Sequence, residues 1–378
     1  MAVSTDFFAR ISEFDPKISS ATYRSVGGED DGDVFDTAAV VVTAAIAAAA
    51  EAAAQCPTDG ELSSTKRAID AAATNAAEAV FAGTTAEINV TAGEGVRDAS
   101  PGAQTGQVIN RGGPAGRWDG IFDYVDGTTL AARSLAGALA LGGLGQGFRP
   151  VPDLQAYAIL APVGALDGFD IMSSPEDHAA EALKRIADAL DMKVTDLAVV
   201  THSVNGHHHH AGLIERMSQC AGEVVVPPHV SVEPPYLLSL TGLSQPRVHA
   251  LVGAIGLTEL AFAAALLDLV APHYEFVFRP ASIAGQRREQ GETLGPLFKF
   301  TDEEVGELAE AGWATDRQYL SSDIVPRGSA EAAAIFAVTE NDALSLPQPA
   351  RTGDKTVSSG LLLRPDRRVG RVTITRSA

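Results

Sequence analysis

Apolar positions along this chain fall into two textures. Long Ala-rich stretches read as close-packed helices, and short apolar runs bounded by Gly, Pro and Asp read as buried strands. Near the N-terminus Phe7, Phe8, Ile11 and Phe14 recur at helical spacing, which predicts a first helix over 5–25, interrupted near Pro16 and resuming toward Tyr23. Helices are predicted again after Asp36, through AAVVVTAAIAAAAEAAA, and over 66–82, followed by a short strand at 88–92. The run 121–126 is strand-like, and 130–145, small and apolar, suits a strand or helix packed closely on a neighbour. From Ser174 the texture changes. Ser174-Pro175-Glu176-Asp177 is a helix start, and Ala179, Leu183, Ile186 and Leu190 give its apolar stripe. Strands at 197–200, 224–226, 248–255 and 274–278 then alternate with helices at 210–220 and 258–270. Thr301-Asp302-Glu303-Glu304 has capping-box spacing, and the segments 332–338 and 360–374 read as strands. Strands alternating with helices predict an α/β layered protein with a largely parallel sheet, in which ligands gather at the strands' carboxyl ends. We expect an N-terminal portion over 1–165 and a C-terminal α/β portion over 166–378.

Composition narrows the function. With 378 residues there is ample material for a large core, and 28 Lys and Arg against 48 Asp and Glu give a net charge of -20. That balance argues against nucleic acid or an anionic membrane as a partner. The two cysteines, Cys56 and Cys220, lie in Ala-rich contexts without metal-ligand spacing, and a reducing, cytoplasmic compartment is the simplest reading. The N-terminus carries Asp6, Glu13 and Asp15 and lacks a signal-peptide core. The apolar run 38–54 contains Thr43 and Glu51 and little Leu or Ile, as expected of a soluble helix.

The candidate chemistry is acidic. IFDYVDGTT, 121–129, places Asp123 and Asp126 at the end of an apolar run and then turns through Gly127 into two hydroxyls. Carboxylates ending a buried strand need a cation, a basic partner or strong hydrogen bonds to stay ionised, and no Lys or Arg lies in the stretch. Hard oxygen ligands suit Mg²⁺ or Mn²⁺ better than Zn²⁺; ordinary turn roles for Asp and Gly are the alternative. The acids of GGEDDGDVFD read as a solvated loop, except Asp36, which either caps the following helix or points inward to a metal. Glu94, flanked by Gly93 and Gly95, and Asp98 after it form a second acidic strand end or a flexible hairpin tip. Glu259 sits in the first turn of a late helix, where it pairs favourably with the helix dipole.

Taken in order, GED…FDTAAV, GEGVRDASP, DYVDGTT, GAIGLTEL and TVSSGLLLR resemble the class II fructose-1,6-bisphosphatase family, within the lithium-sensitive, metal-dependent phosphatases that include inositol monophosphatases. The resemblance runs through nearly the whole chain. It implies a layered α/β/α/β/α sandwich of the sugar phosphatase type and Mg²⁺- or Mn²⁺-dependent hydrolysis of a phosphomonoester. It carries over Asp36, Glu94, Asp123, Asp126 and Glu259 as metal ligands, Asp98 and Thr128 as the pair that prepares the attacking water, and Gly256 as a backbone contact to substrate. Asp126, Gly127 and Thr128 are also expected at the substrate. A phosphorylated sugar or polyol is the implied substrate, and a homo-oligomer the implied assembly.

The departures lie mostly at the substrate wall. The signature's usual proline is Tyr124, the second carboxylate of GEGE is Val96, and a lysine of the early acidic turn has no counterpart. Where the family grips a distal phosphate with a Lys-Pro-Arg segment, a tyrosine and an Asp-Gly-Asp turn, this chain has His207, His208 and His209, Gln155, and Pro228-His229-Val230. The Ala-rich stretch at about 50–85 is also longer than the family's. These differences imply a diverged pocket in an active phosphatase, the alternative being a non-catalytic paralogue that binds a metabolite or partner. An imidazole gives up its positive charge as pH rises through its titration range. If the histidines hold phosphate, KM for a sugar phosphate rises between about pH 5.5 and about pH 8; a flat KM profile overturns that role.

Overall fold

The computed structural model describes residues 5–26, 35–93, 101–114, 116–201, 210–227, 234–245, 247–288, 293–365 and 367–377. The chain divides into two compact units, one of residues 1–150, 268–270 and 326–378, the other of 151–267 and 271–325. The boundary thus falls near 150 rather than at the expected 165, and 326–378 does not belong with the second portion. Those residues instead supply strands to the first unit's sheet.

The first unit begins with α1 (Thr5–Phe14), β1 (Ile18–Ser25), α2 (Thr37–Ala54) and α3 (Leu62–Ala82). It continues with β2 (Glu87–Gly93), β3 (Val108–Ile109), β4 (Arg117–Asp126), α4 (Thr128–Ala132) and β5 (Leu139–Gly145). The second unit contains β6 (Gln155–Pro162), α5 (Pro175–Ala189), β7 (Ala198–Val200), α6 (Ala211–Ser218), β8 (Glu223–Val225) and α7 (Pro234–Ser239). It goes on through β9 (Ala250–Gly256), α8 (Leu257–Val270), β10 (Tyr274–Ala281), α9 (Ile283–Arg288), α10 (Asp302–Glu310) and β11 (Tyr319–Leu320), with the last turn of α8 counted in the first unit. The strands β12 (Ala330–Ala337), β13 (Ala350–Thr352), β14 (Lys355–Arg364) and β15 (Arg368–Ser377) then complete the first unit.

Among the described residues the first unit's sheet has the order β1-β15-β14-β12-β5-β4-β2-β3, with β13 on β14; the second unit's has the order β11-β10-β6-β9-β7-β8. The α/β class is as expected, but the sheets are largely antiparallel. Among the described residues only β2–β4, β7–β8 and β7–β9 pair parallel. The reason is visible at β9-α8-β10. The two strands run in the same direction, as the pattern predicts, but β6 is inserted between them and pairs antiparallel to both.

A second correction concerns 5–25. The helix stops at Phe14, and Ile18–Ser25 is a strand paired antiparallel to β15. Beyond Pro16 the burial has period two, with Ala21 and Tyr23 inside and Thr22 and Arg24 out, which a helix cannot produce.

The first unit's core is organised around α2, capped at Asp36 and buried over nearly all its length. It is the one helix among the described residues long and apolar enough to cross a membrane, and most of it is buried inside the structure. Its alanines meet strands that are themselves small: in β12 and β5, Ala334 pairs with Gly142 and Ala333 with Gly143. A Cβ on Gly142 would collide with Ile46 of α2. In the second unit Tyr157 and Ile159 of β6, Leu183 and Ile186 of α5, Val199 of β7, Met217 of α6 and Val252 of β9 form one apolar core.

Inside that core His178 of α5 has both ring nitrogens engaged, Nε2 with Tyr157 Oη and Nδ1 with Ser173 Oγ, each at 3.0 Å. Burial first, then the Arg279 guanidinium, hold its pKa down to about 4 from the ordinary 6.5, against the opposing pull of Asp170, Glu176 and Asp177. As pH falls the unfolded chain takes up this proton first. Stability is therefore lost between pH 6.5 and about 4 and levels off below. We expect the urea unfolding free energy of the wild type to fall by about 2 kcal/mol more than that of His178→Gln between pH 7 and pH 5. Parallel pH profiles would remove His178 as the source.

Candidate active site

Strand β4 carries the acidic signature. From Gly120 onward every residue of the strand is buried, and Asp123 and Asp126 keep only 1% and 5% of their surface exposed. The pairing with β5 shifts register between these two residues. At that irregularity Val125 N donates to Asp123 Oδ1 at 3.2 Å, so the carboxylate is tied to its own strand end. Gly127 follows with φ 83°, a left-handed conformation that a side chain would oppose, and the chain turns directly into α4.

Thr128 is the first residue of α4. Its Oγ1 lies 3.0 Å from Asp70 Oδ1 on α3 and 3.1 Å from the Val125 carbonyl. A hydroxyl has one proton, so it donates to one acceptor or shares between the two, and its lone pairs can accept from a further donor. Asp70 is itself only 8% exposed. A buried carboxylate from one helix thus meets the hydroxyl that follows the strand-end aspartates.

The sequence does not single out Asp70, and Asp36 shows the capping role that is one of its two readings. Asp36 is exposed, and its Oδ1 accepts from Ala39 N at 2.7 Å as the N-cap of α2. The helix start accounts for Oδ1 of this carboxylate. A signal for Asp70 existed, because Asp70, Thr74 and Glu78 stand at four-residue steps and form a polar row in a helix otherwise rich in alanine. Glu94 and Asp98, the other expected acids of this unit, lie outside the described residues, as do His207, His208, His209 and His229. Tyr124, at the place of the signature's usual proline, stacks on Phe122 with ring centroids 5.4 Å apart. Its hydroxyl is buried and has no hydrogen-bond partner among the described residues. Burial, and after it the negative charge of Glu78, push its pKa well up, so the phenol stays protonated.

In the second unit the structure brings Gln155, Gly256 and Glu259 together. Gln155 opens β6 and pairs with Gly256 at the end of β9. Gly256 is the N-cap of α8 and Glu259 lies in its first turn. A Cβ at 256 would strike the Glu259 carboxylate, so the glycine lets that side chain fold back over the helix start, where the dipole favours negative charge. Of the histidine run, His210 is described and is buried. Its Nε2 accepts from Ala254 N at 2.8 Å, occupying a β9 amide beyond the last β7 pair at Leu251. That contact is structural.

The family model described as bacterial fructose-1,6-bisphosphatase, glpX-encoded, matches residues 37–376. The chain belongs to that family. A search of curated proteins finds no match. The fructose-1,6-bisphosphatase family comprises metal-dependent hydrolases of phosphoric monoesters, and membership makes this chain a phosphatase acting on a sugar phosphate.

Asp70, Asp123 and Asp126 supply buried carboxylate oxygens, the donor type that suits a hard divalent cation. Among the described residues no three or more His, Cys, Asp or Glu side chains form a group able to hold a metal. The described carboxylates thus match such an ion in donor type but are not gathered into one binding group. Truncating Asp36 tests the capping role: Asp36→Ala should lower the urea unfolding free energy by about 1 kcal/mol while Asp36→Asn changes it little. Equal losses in the two variants would show that the carboxylate does more than cap.

Proposed function

We propose that this protein is a Mg²⁺-dependent phosphatase of the fructose-1,6-bisphosphatase type that removes phosphate from a sugar phosphate, sugar bisphosphate or polyol phosphate through a diverged substrate pocket. The observation that carries the reading is the Thr128 hydroxyl on the Asp70 carboxylate, beside the strand-end acids Asp123 and Asp126. Mg²⁺ or Mn²⁺, when bound, supplies the positive charge that offsets the phosphoryl oxygens. Asp123 and Asp126 would hold the ion, with Glu94 and Glu259 joining them on the strength of the family pattern.

The remaining chemistry belongs to the protein's own groups. Thr128 Oγ1 accepts a hydrogen bond from the attacking water while its own proton points to Asp70. As the water attacks phosphorus and the ester P–O bond breaks, the water's proton passes to Thr128 and the hydroxyl proton to Asp70, while the departing sugar oxygen takes a proton from solvent, so no free hydroxide is needed. Asp98 shares this role by the family pattern. Gly127 keeps the turn tight, with the Thr128 amide at the start of α4. Gln155, Gly256, His207, His208, His209 and His229 would contact the sugar or its distal phosphate, where the family places its grips. Imidazoles and an amide in place of Lys, Arg and Tyr support a preference shifted away from fructose 1,6-bisphosphate. The two free cysteines fit a reducing, cytoplasmic setting.

The test is phosphate release from a panel of sugar mono- and bisphosphates and cyclitol phosphates, with Mg²⁺, with Mn²⁺ and with chelator. We expect turnover of at least one substrate that chelator abolishes. Asp123→Asn, Asp70→Asn and Thr128→Ala should each lower kcat by about 100-fold or more. If nothing on the panel turns over while Mn²⁺ still binds, the chain is a non-catalytic member of its family.

A further inference from the structure

Arg279 of β10 is a buried cation without a carboxylate. It keeps only 4% of its surface exposed, and among the described residues it makes no ion pair. Nη1 donates to Met172 O at 2.7 Å and Nη2 to Ser173 O at 3.2 Å, while the Phe298 ring lies 3.2 Å from Cζ. Its Nε–H has no acceptor among the described residues. Arg376 in the first unit shows the contrasting case, a buried guanidinium met by two carboxylates. Carbonyls and a ring face solvate Arg279 but leave its charge unneutralised. Asp170 acts on it electrostatically, yet that side chain is exposed and accepts from Met172 N. Burial lowers the Arg279 pKa to about 10, so the group stays charged at neutral pH.

Gln155 is the second group in search of a partner. It is buried, and its carboxamide makes no hydrogen bond among the described residues. Tyr157 of β6 pairs with Arg279, and Gln155, two residues earlier, pairs with Ala281 on one side and Gly256 on the other. Opposed residues share a face of the sheet, as do residues two apart on one strand. Gln155 and Arg279 are therefore diagonal neighbours on one face, about 7 Å apart at the backbone, a gap that long side chains span. Both stand at the end of the sheet where β9 and β10 stop, the end at which ligands gather. Buried donors without acceptors cost stability, and what this pair lacks is an acceptor that carries negative charge.

We propose that Gln155 and Arg279 form a phosphate-binding position of the second unit, with Gln155 donating to a phosphate oxygen and Arg279 supplying positive charge from behind it. A buried guanidinium acts through a medium of low dielectric, where its field is screened little over such a distance. In a chain of net charge -20, that local charge draws in an anion that the surface as a whole repels. Such a phosphate has two sources, the uncleaved group of a sugar bisphosphate and free phosphate. Only the first rests on the phosphatase reading above.

The test compares wild type with Arg279→Gln, Arg279→Lys and Gln155→Leu, by calorimetry of inorganic phosphate in the presence of chelator and by kcat and KM on panel mono- and bisphosphates with Mg²⁺. Arg279→Gln and Gln155→Leu should weaken phosphate binding by about 10-fold or more, the loss expected for a hydrogen bond to a charged group. Lysine keeps the charge but not the planar fork that holds the two carbonyls, so Arg279→Lys should stay within a few-fold of wild type. If the substrate is the source, KM for the bisphosphate rises with the loss of phosphate binding, while kcat and the monophosphate KM change little. If free phosphate is the source, neither KM moves and only inhibition by added phosphate weakens. The proposal is overturned if wild type binds no phosphate, if Arg279→Gln binds it as wild type does, or if Arg279→Lys falls as far as Arg279→Gln, which would leave Arg279 a brace for residues 172 and 173. Should the Arg279 variants not fold, Gln155→Leu decides alone, and unchanged phosphate binding there overturns the proposal. A wild type that turns nothing over defeats the phosphatase reading, and the calorimetry then decides the phosphate position by itself.

Discussion

The first unit depends on how closely α2 approaches its sheet. A helix of alanine has little side chain to keep neighbours away, so its backbone sits near whatever it packs on, and that gain is available only if the facing strands are small too. They are: β12 reads AEAAAIFA and β5 reads LALGGLG, and their Ala and Gly residues pair across the sheet. Close packing leaves no slack. Adding a Cβ at Gly142 would drive into Ile46, and a core at crystal-like density has nowhere to move it.

Rigidity at α2 is passed to α3, which packs along it, and α3 carries the polar row that faces the acidic strand end. A hydroxyl and a carboxylate from separate elements hold 3.0 Å only if both backbones are fixed. Thr128 is fixed by the left-handed turn at Gly127 and Asp70 by a helix that cannot slide. The precision of the Asp70 to Thr128 contact is thus a consequence of small-residue packing one layer away. This also gives the long stretch between Asp36 and Glu94 a use. It forms an antiparallel pair of helices, the first filling the core and the second presenting side chains.

What the sequence made legible follows what is local. The cap at Asp36, the box at Thr301 and Glu304, and the start at Ser174 are near-neighbour chemistry, and each is found where it was read. The acidic turn 123–128 was legible for the same reason, since strand, glycine and hydroxyl are contiguous. Strand direction was not, because insertion of β6 between β9 and β10 is a long-range pairing that leaves no mark on periodicity. Nor was β1, whose in-and-out alternation from Ala21 to Arg24 is set by β15 lying beside it. Asp36 reads from the sequence as either a helix cap or an inward-pointing ligand, and Asp70 has no local motif to single it out. Only the folded chain shows that one helix spends its acid on its own amides and the next aims its acid at Thr128.

Buried acids also fasten the elements of the first unit to one another. Asp15 and Glu51 are matched by a guanidinium: Arg376 Nε is 2.6 Å from Asp15 and Nη1 is 2.9 Å from Glu51, with all three side chains largely buried. Such a triad neutralises charge and locks α1, α2 and β15 to one another, and removing one partner would strand the others at a cost of about 3 to 5 kcal/mol. Asp70 and Asp123 accept hydrogen bonds from the Thr128 hydroxyl and the Val125 amide, which ties two further buried acids to the turn that ends β4.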